Sequence, residues 1–174
     1  MRAFAIAAAA LLLGGCKGSC GAKPSVPPEQ PPPASTSAGG PAAPLPDAIR
    51  LLREADAALQ AGKLDEAVAR GEAASAAAPS NPVIWNVLGR AHAAKWAQGK
   101  DEDEAKKARD AFTRAATVSP DFWPAYQNLG ELDEQAGLLK EAADAYRKVL
   151  QAQPNHPEKA KFEAVIARAG EKGR

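Results

Sequence analysis

Between Pro120 and Pro154 the apolar positions fall into two short runs with helical spacing. Tyr126, Leu129, Gly130 and Asp133 lie three, four and seven residues along, which predicts one face of a first helix. Gly137 marks the break, because glycine adopts the backbone angles that end a helix. Ala142, Tyr146 and Val149 then form the inner face of a second helix, and Pro154 stops it. Small residues at Gly130 and Ala142 let the two backbones approach, with the tyrosines filling the space beside them. Such a pair cannot bury its apolar face alone, so copies are expected.

Two copies precede it. One carries Trp85, Leu88, Gly89 and His92, then Ala108, Phe112, Ala115 and Pro120. The other carries Leu51, Ala55, Ala58, Gly62, Ala67, Ala74 and Pro79 in the same register. The closing prolines at 79, 120 and 154 are 41 and 34 residues apart. Residues and spacing together resemble the tetratricopeptide repeat (TPR), whose period is about 34, so the middle unit has seven additional residues. His92 stands where that pattern usually has tyrosine.

The resemblance implies an all-α fold. Three TPR helix-turn-helix repeats at about 48–81, 82–122 and 123–156, plus a C-terminal capping helix at 157–170, would form a right-handed α-solenoid of seven helices. Its structural positions here are Trp85, Leu88, Gly89, Ala108, Phe112, Pro120, Tyr126, Leu129, Gly130, Ala142, Tyr146 and Pro154. Repeat one departs from the pattern, with Glu54 for leucine and Gly71 for a large aromatic, as suits a terminal unit with one face toward water. Asp47 is the expected N-cap of its first helix. Pro157 is expected to open the last helix, which carries Phe162, Val165, Ile166 and Ala169 on one face and ends at Gly170.

The seven additional residues of repeat two lie near Gln98, Gly99 and Lys100. Trp96 continues the stripe of Trp85, Leu88, Gly89 and His92, so the buried face is expected to run past the usual helix end. The four acids from Asp101 to Glu104 suit a helix N-terminus. Calcium chelation is the other reading, but EF-hand spacing and its glycine are missing. Seven residues are about two turns, so one extra turn on each helix preserves register. The hairpin tip, with Trp96 and the acids, is either a contact point or only a longer helix pair.

Residues 1–15 read as a targeting segment: Arg2 is a positive start and Phe4 to Leu13 an apolar core. That core is shorter than the roughly 20 residues of a spanning helix. Leu13, Gly14, Gly15 and Cys16 resemble the bacterial lipobox. The resemblance implies a signal peptide removed before Cys16, a lipidated Cys16 thiol and a membrane anchor of about 0.8 kcal/mol per buried methylene. An ordinary secretory leader with an unrelated cysteine is the alternative. In lipoprotein families an Asp after the cysteine implies the inner membrane, so Lys17 implies the outer membrane, facing the periplasm. Cys20 is left an unpaired thiol that is oxidised, pairs with another chain or does nothing. Residues 17–46 are rich in Pro, Ala, Ser and Gly and read as a disordered linker, extended by about 3.1 Å per residue where polyproline-like. It serves as a tether, a spacer or a weak ligand for aromatic grooves.

Charge narrows the function. The chain has 22 basic and 21 acidic residues, and from Asp47 onward 19 and 20, which disfavours nucleic acid as a partner. The dense basic run of Lys106, Lys107 and Arg109 faces the neighbouring acids. Catalysis lacks its parts: Ser75, Ser80 and Ser119 sit near helix ends, and no HExxH, CxxC, phosphate loop or GxSxG motif occurs. The acids read as exposed, His92 as a packed core imidazole and His156 as a turn residue. No enzyme activity, metal or cofactor is expected. An enzyme combining His92 with nearby acids would lose function on replacement by Phe, whereas a core role predicts little change.

In TPR families the first helix of each repeat lines a concave peptide-binding groove. Carried over by register, the groove positions are Leu52, Asp56 and Leu59 in repeat one, Asn86 and Arg90 in repeat two, and Gln127, Glu131 and Glu134 in repeat three. Amide, guanidinium and carboxylate groups there can hydrogen-bond an extended backbone, each bond contributing about 1 kcal/mol; the alternative is ordinary solvated helix residues. The Lys and Asn set that clamps a C-terminal carboxylate is not in place, so chaperone-tail binding is not implied. The resulting expectation is a membrane-anchored scaffold or adaptor binding a protein or peptide partner in the cell envelope. The alternative is a structural envelope protein that self-associates through repeats one and three.

Overall fold

A computed structural model describes residues 45–171. The leader, Cys16, Cys20 and the linker as far as residue 44 lie outside the described residues. Those described form seven α-helices and no strand: α1 (Leu45–Gln60), α2 (Leu64–Ala77), α3 (Pro82–Gly99), α4 (Glu102–Val118), α5 (Trp123–Gln135), α6 (Leu139–Ala152) and α7 (Lys159–Glu171). They pair as α1–α2, α3–α4 and α5–α6, with α7 against α6. The first helices α1, α3 and α5 touch in sequence and make one layer, while α2, α4 and α6 make the other.

Local chemistry sets the helix ends. Asn81 accepts a hydrogen bond from the Val83 N–H at 3.0 Å, with Pro82 in the first turn of α3. Asp101 caps α4 by accepting from the Asp103 N–H at 3.0 Å, ahead of three acids in the first turn. Two turns use glycine at positive φ, Gly62 at 71° and Gly137 at 78°. Lys100 takes the left-handed turn of repeat two, its ammonium 4.3 Å from the Trp96 ring centroid. Two boundaries differ from the sequence reading. Helix α1 opens at Leu45, so Asp47 lies inside its first turn, 3.8 Å from Arg50, rather than at its cap. Helix α7 opens at Lys159, after a turn through His156 and Pro157, and runs to Glu171.

The additional residues lengthen both helices of repeat two. Helix α3 has 18 residues against 13 in α5, and α4 has 17 against 14 in α6. Trp96 is 4% exposed and packs with Ala105, Ala108, Phe112 and Leu132, so it seals the longer hairpin and is no surface contact.

Packing within the second and third hairpins depends on a missing side chain. A Cβ at Gly89 would lie 2.5 Å from the Phe112 ring, and one at Gly130 would lie 2.6 Å from the Tyr146 ring. Repeat one has no aromatic in this place. Its core is Ala55, Ala58, Ala67 and Ala74, and Gly71 lets α2 reach α3, where its Cβ would meet Leu88 at 3.0 Å. At the other end Tyr146 stacks on Phe162 with centroids 4.4 Å apart, and Val149 and Val165 complete that core. Gly89→Ala and Gly130→Ala should each cost about 1–3 kcal/mol by overpacking. Gly170→Ala, whose Cβ meets nothing, should be neutral or slightly stabilising. Urea midpoints of the three variants check this, and equal midpoints would refute it.

Candidate functional site

The layer of α1, α3 and α5 holds every groove position named from the sequence. Leu52, Asp56 and Leu59 are half-buried on α1, Asn86 is 8% exposed and Arg90 is exposed on α3. The structure brings Leu52, Asp56, Asn86 and Arg90 into one cleft of about 420 Å³, which Arg53, Val83 and Val87 also line. Arg90 donates to Asp56 at 3.2 Å across the two helices. A second cleft of about 320 Å³ begins on the other side of Arg90. Helix α3 forms its wall through Ala93, Ala94 and, in its additional turn, Ala97; Phe112 and Leu132 line its apolar part, and Leu59, Asn128, Glu131 and Gln135 complete it. Asn128, absent from the sequence-derived set, donates to the Asn86 side-chain oxygen at 2.8 Å and ties α5 to α3.

The three positions on α5 are engaged from within the chain. Gln127 donates to Glu131 at 3.0 Å and to Glu158 at 3.1 Å. Lys161 of α7 lies 3.8 Å from Glu131 and 3.9 Å from Glu158. Glu134 accepts from the Tyr146 hydroxyl at 3.1 Å and faces Arg168 at 3.8 Å. Glu158, just before α7, and Lys161 and Arg168 on α7 therefore set polar partners beside these three positions, whereas the two clefts flank Arg90.

Two buried polar pairs fix α4 from both sides. His92 and Glu104, both buried, meet at 2.6 Å between the imidazole Nδ1 and the carboxylate. Lys107 and Lys95 add contacts to Glu104 at 3.3 and 3.7 Å, and Lys95 also reaches Asp65 of α2 at 2.8 Å. In the next repeat Asp133, 3% exposed, occupies the register of His92 and accepts from Arg109 of α4. These pairs correct the reading of the acids as uniformly exposed: Glu104 and Asp133 are interior groups. Phenylalanine at His92 would remove the nearest hydrogen-bond partner of the Glu104 carboxylate and leave it Lys107 and Lys95. The hydrogen bond from His92 holds Glu104 below the usual carboxylate range, with Lys107 and Lys95 assisting against burial. Burial pushes Asp133 up, and Arg109 opposes that. His92 hydrogen-bonds among the described residues to Glu104 alone. No group of three or more His, Cys, Asp or Glu suited to a metal occurs among the described residues.

Because the folded carboxyl of Glu104 has the lower pKa, its contribution is present above the unfolded value and lost as pH falls through the folded one. The stability of the native chain should therefore fall as pH drops below about 4.5, the group's ordinary value. Glu104→Gln should cost about 1–3 kcal/mol at neutral pH and flatten that acid limb. Urea midpoints from pH 7 to pH 3 test this, and parallel profiles would refute it.

No protein-family model matches the sequence, and no curated protein matches it. Solved structures do. The TPR domain of Sgt2 from Aspergillus fumigatus is 24% identical with a TM-score of 0.64, over 77% of this chain and 86% of that one. The first TPR of Spaghetti (RPAP3), bound to the HSP90 peptide SRMEEVD, is 23% identical with a TM-score of 0.61, over 74% and 99%. The Yersinia enterocolitica type III secretion chaperone SycD, in complex with a peptide of the translocator YopD, is 17% identical with a TM-score of 0.61, over 72% and 94%. The fold of this chain is that of a TPR domain.

Proposed function

We propose that this protein is a non-enzymatic adaptor that binds a protein or peptide segment in the open half of its concave groove. The observation that carries this reading is the pair of clefts on either side of Arg90, with apolar walls and the polar groups of Asp56, Asn86 and Asn128 at their edges. Pockets of this make-up orient an extended chain through a few polar groups and hold it by apolar burial. The RPAP3 domain and SycD, which share the fold, were solved with peptides bound. The address follows from Leu13, Gly14, Gly15 and Cys16: lipidation at Cys16 holds the adaptor on the bacterial envelope, at the outer membrane facing the periplasm, in a complex whose assembly or regulation it serves. Among the described residues no helix is long and apolar enough to cross a membrane.

Cross-linking in cells followed by capture from the membrane fraction tests both parts. Cys16→Ser should move the chain out of that fraction. Asn86→Ala with Arg90→Ala should abolish capture of the envelope partner, and adding Gln127→Ala should change little more, because that side chain lies outside both clefts and already bonds Glu131 and Glu158. Undiminished capture by the first double variant would overturn the groove assignment.

A further inference from the structure

Resting on that groove reading, we propose that the cleft between α1 and α3 takes an acidic side chain of the partner segment together with the apolar residue beside it. The hydrogen-bonding groups of this one cleft point there. Its side-chain carboxylate is already engaged: Asp56 accepts from Arg90 at 3.2 Å on one oxygen and from Gln60 at 2.7 Å on the other. Its donors are not all engaged. Asn86, 8% exposed, accepts from Asn128 through its oxygen, while its NH2 donates to no group among the described residues and is not sealed from solvent. A largely buried amide therefore turns an unused donor toward the cleft that it lines.

Charge decides which acceptor enters. Arg53 is exposed on the wall of the same cleft and has no ion pair among the described residues, since the neighbouring Glu54 is held by Arg50 and Arg70. Arg53 and Arg90 against Asp56 alone leave the cleft net positive. A cation entering it meets that excess and a carboxylate already neutralised. A carboxylate instead accepts from the unfilled guanidinium fork and from the amide, and brings no donor that needs a partner of its own. An amide side chain of the same shape lacks the charge and adds two donors. Leu52, Val83 and Val87 line the cleft as well, and Val83 is 41% exposed, so an apolar neighbour of the acid covers surface now in water.

The test uses the full chain in lipid nanodiscs and fluorescence polarisation with four labelled hexapeptides, blocked at both ends so that no terminal charge contributes. The first is Gly-Ser-Leu-Asp-Ser-Gly, and the others carry Asn for Asp, Lys for Asp, or Ser for Leu. The first should bind at least tenfold tighter than each of the others. Arg53→Glu should reverse the preference between the Asp and Lys peptides. Lys106→Glu, the same charge change at an exposed site on α4 outside the cleft, should leave that preference in place. Equal binding of the Asp and Asn peptides, equal binding of the Leu and Ser peptides, an Asp preference that survives Arg53→Glu or is lost in Lys106→Glu, or binding by none of the four overturns the proposal. The groove reading is judged separately, by whether Asn86→Ala with Arg90→Ala loses the partner captured by cross-linking.

Discussion

Everything in this solenoid follows from how near the two helices of a hairpin can come. At Gly89 and Gly130 the first helix presents bare backbone to an aromatic ring of the second, at a separation no Cβ could occupy. That approach puts Phe112 and Tyr146 on the hairpin axis, where each ring is buried and reaches beyond its own repeat. Phe112 carries the contact on to Leu132 of α5, and Tyr146 carries it on to Phe162 of α7. One steric constraint, used twice, thereby sets the stacking of the units as well as their internal packing, in keeping with the nearest-neighbour logic of repeat proteins.

Helix α4 shows how polar interior groups sharpen that packing. Apolar stripes alone allow helices to slide or rotate by small amounts, whereas a buried carboxylate tolerates little displacement from its partner. His92 and Arg109 impose this on α4 through Glu104 and Asp133, one from its own repeat and one toward the next. The longer α3, held in register, then presents Ala93, Ala94 and Ala97 toward the groove. The additional length of α3 extends the wall of the second cleft by Ala97.

Much of this architecture was legible in the sequence. The spacing of Gly89 to Phe112 and Gly130 to Tyr146, the prolines at 79, 120 and 154, and the continuation of the stripe to Trp96 all reflect constraints local to one hairpin. What escaped depends on partners distant in sequence or on which member of a run turns inward. Nothing local distinguishes Glu104 from Glu102, and only the turn of the chain brings it to His92. Gly71 read as a lost aromatic because its partner, Leu88, belongs to another repeat. Leu52, Asp56, Asn86 and Arg90, named by register, line one cleft because they follow helical periodicity. The register missed Arg53 and Asn128, and the polar partners that Gln127, Glu131 and Glu134 find in and before α7, because Gln127 and Glu158 are 31 residues apart.

The alanine interior of repeat one has a consequence for the timing of events in the groove. Alanines bury little surface and make few dispersion contacts, so α1 and α2 are held less tightly than the hairpins built on Phe112 and Tyr146. In a one-dimensional array the weakest terminal unit opens first and most often, without disturbing the rest. Half of the open cleft belongs to that unit, through Leu52, Arg53 and Asp56. On the proposed reading, occupation of the groove would be linked to the ordering of the N-terminal hairpin, and amide exchange in α1 would gauge that occupancy.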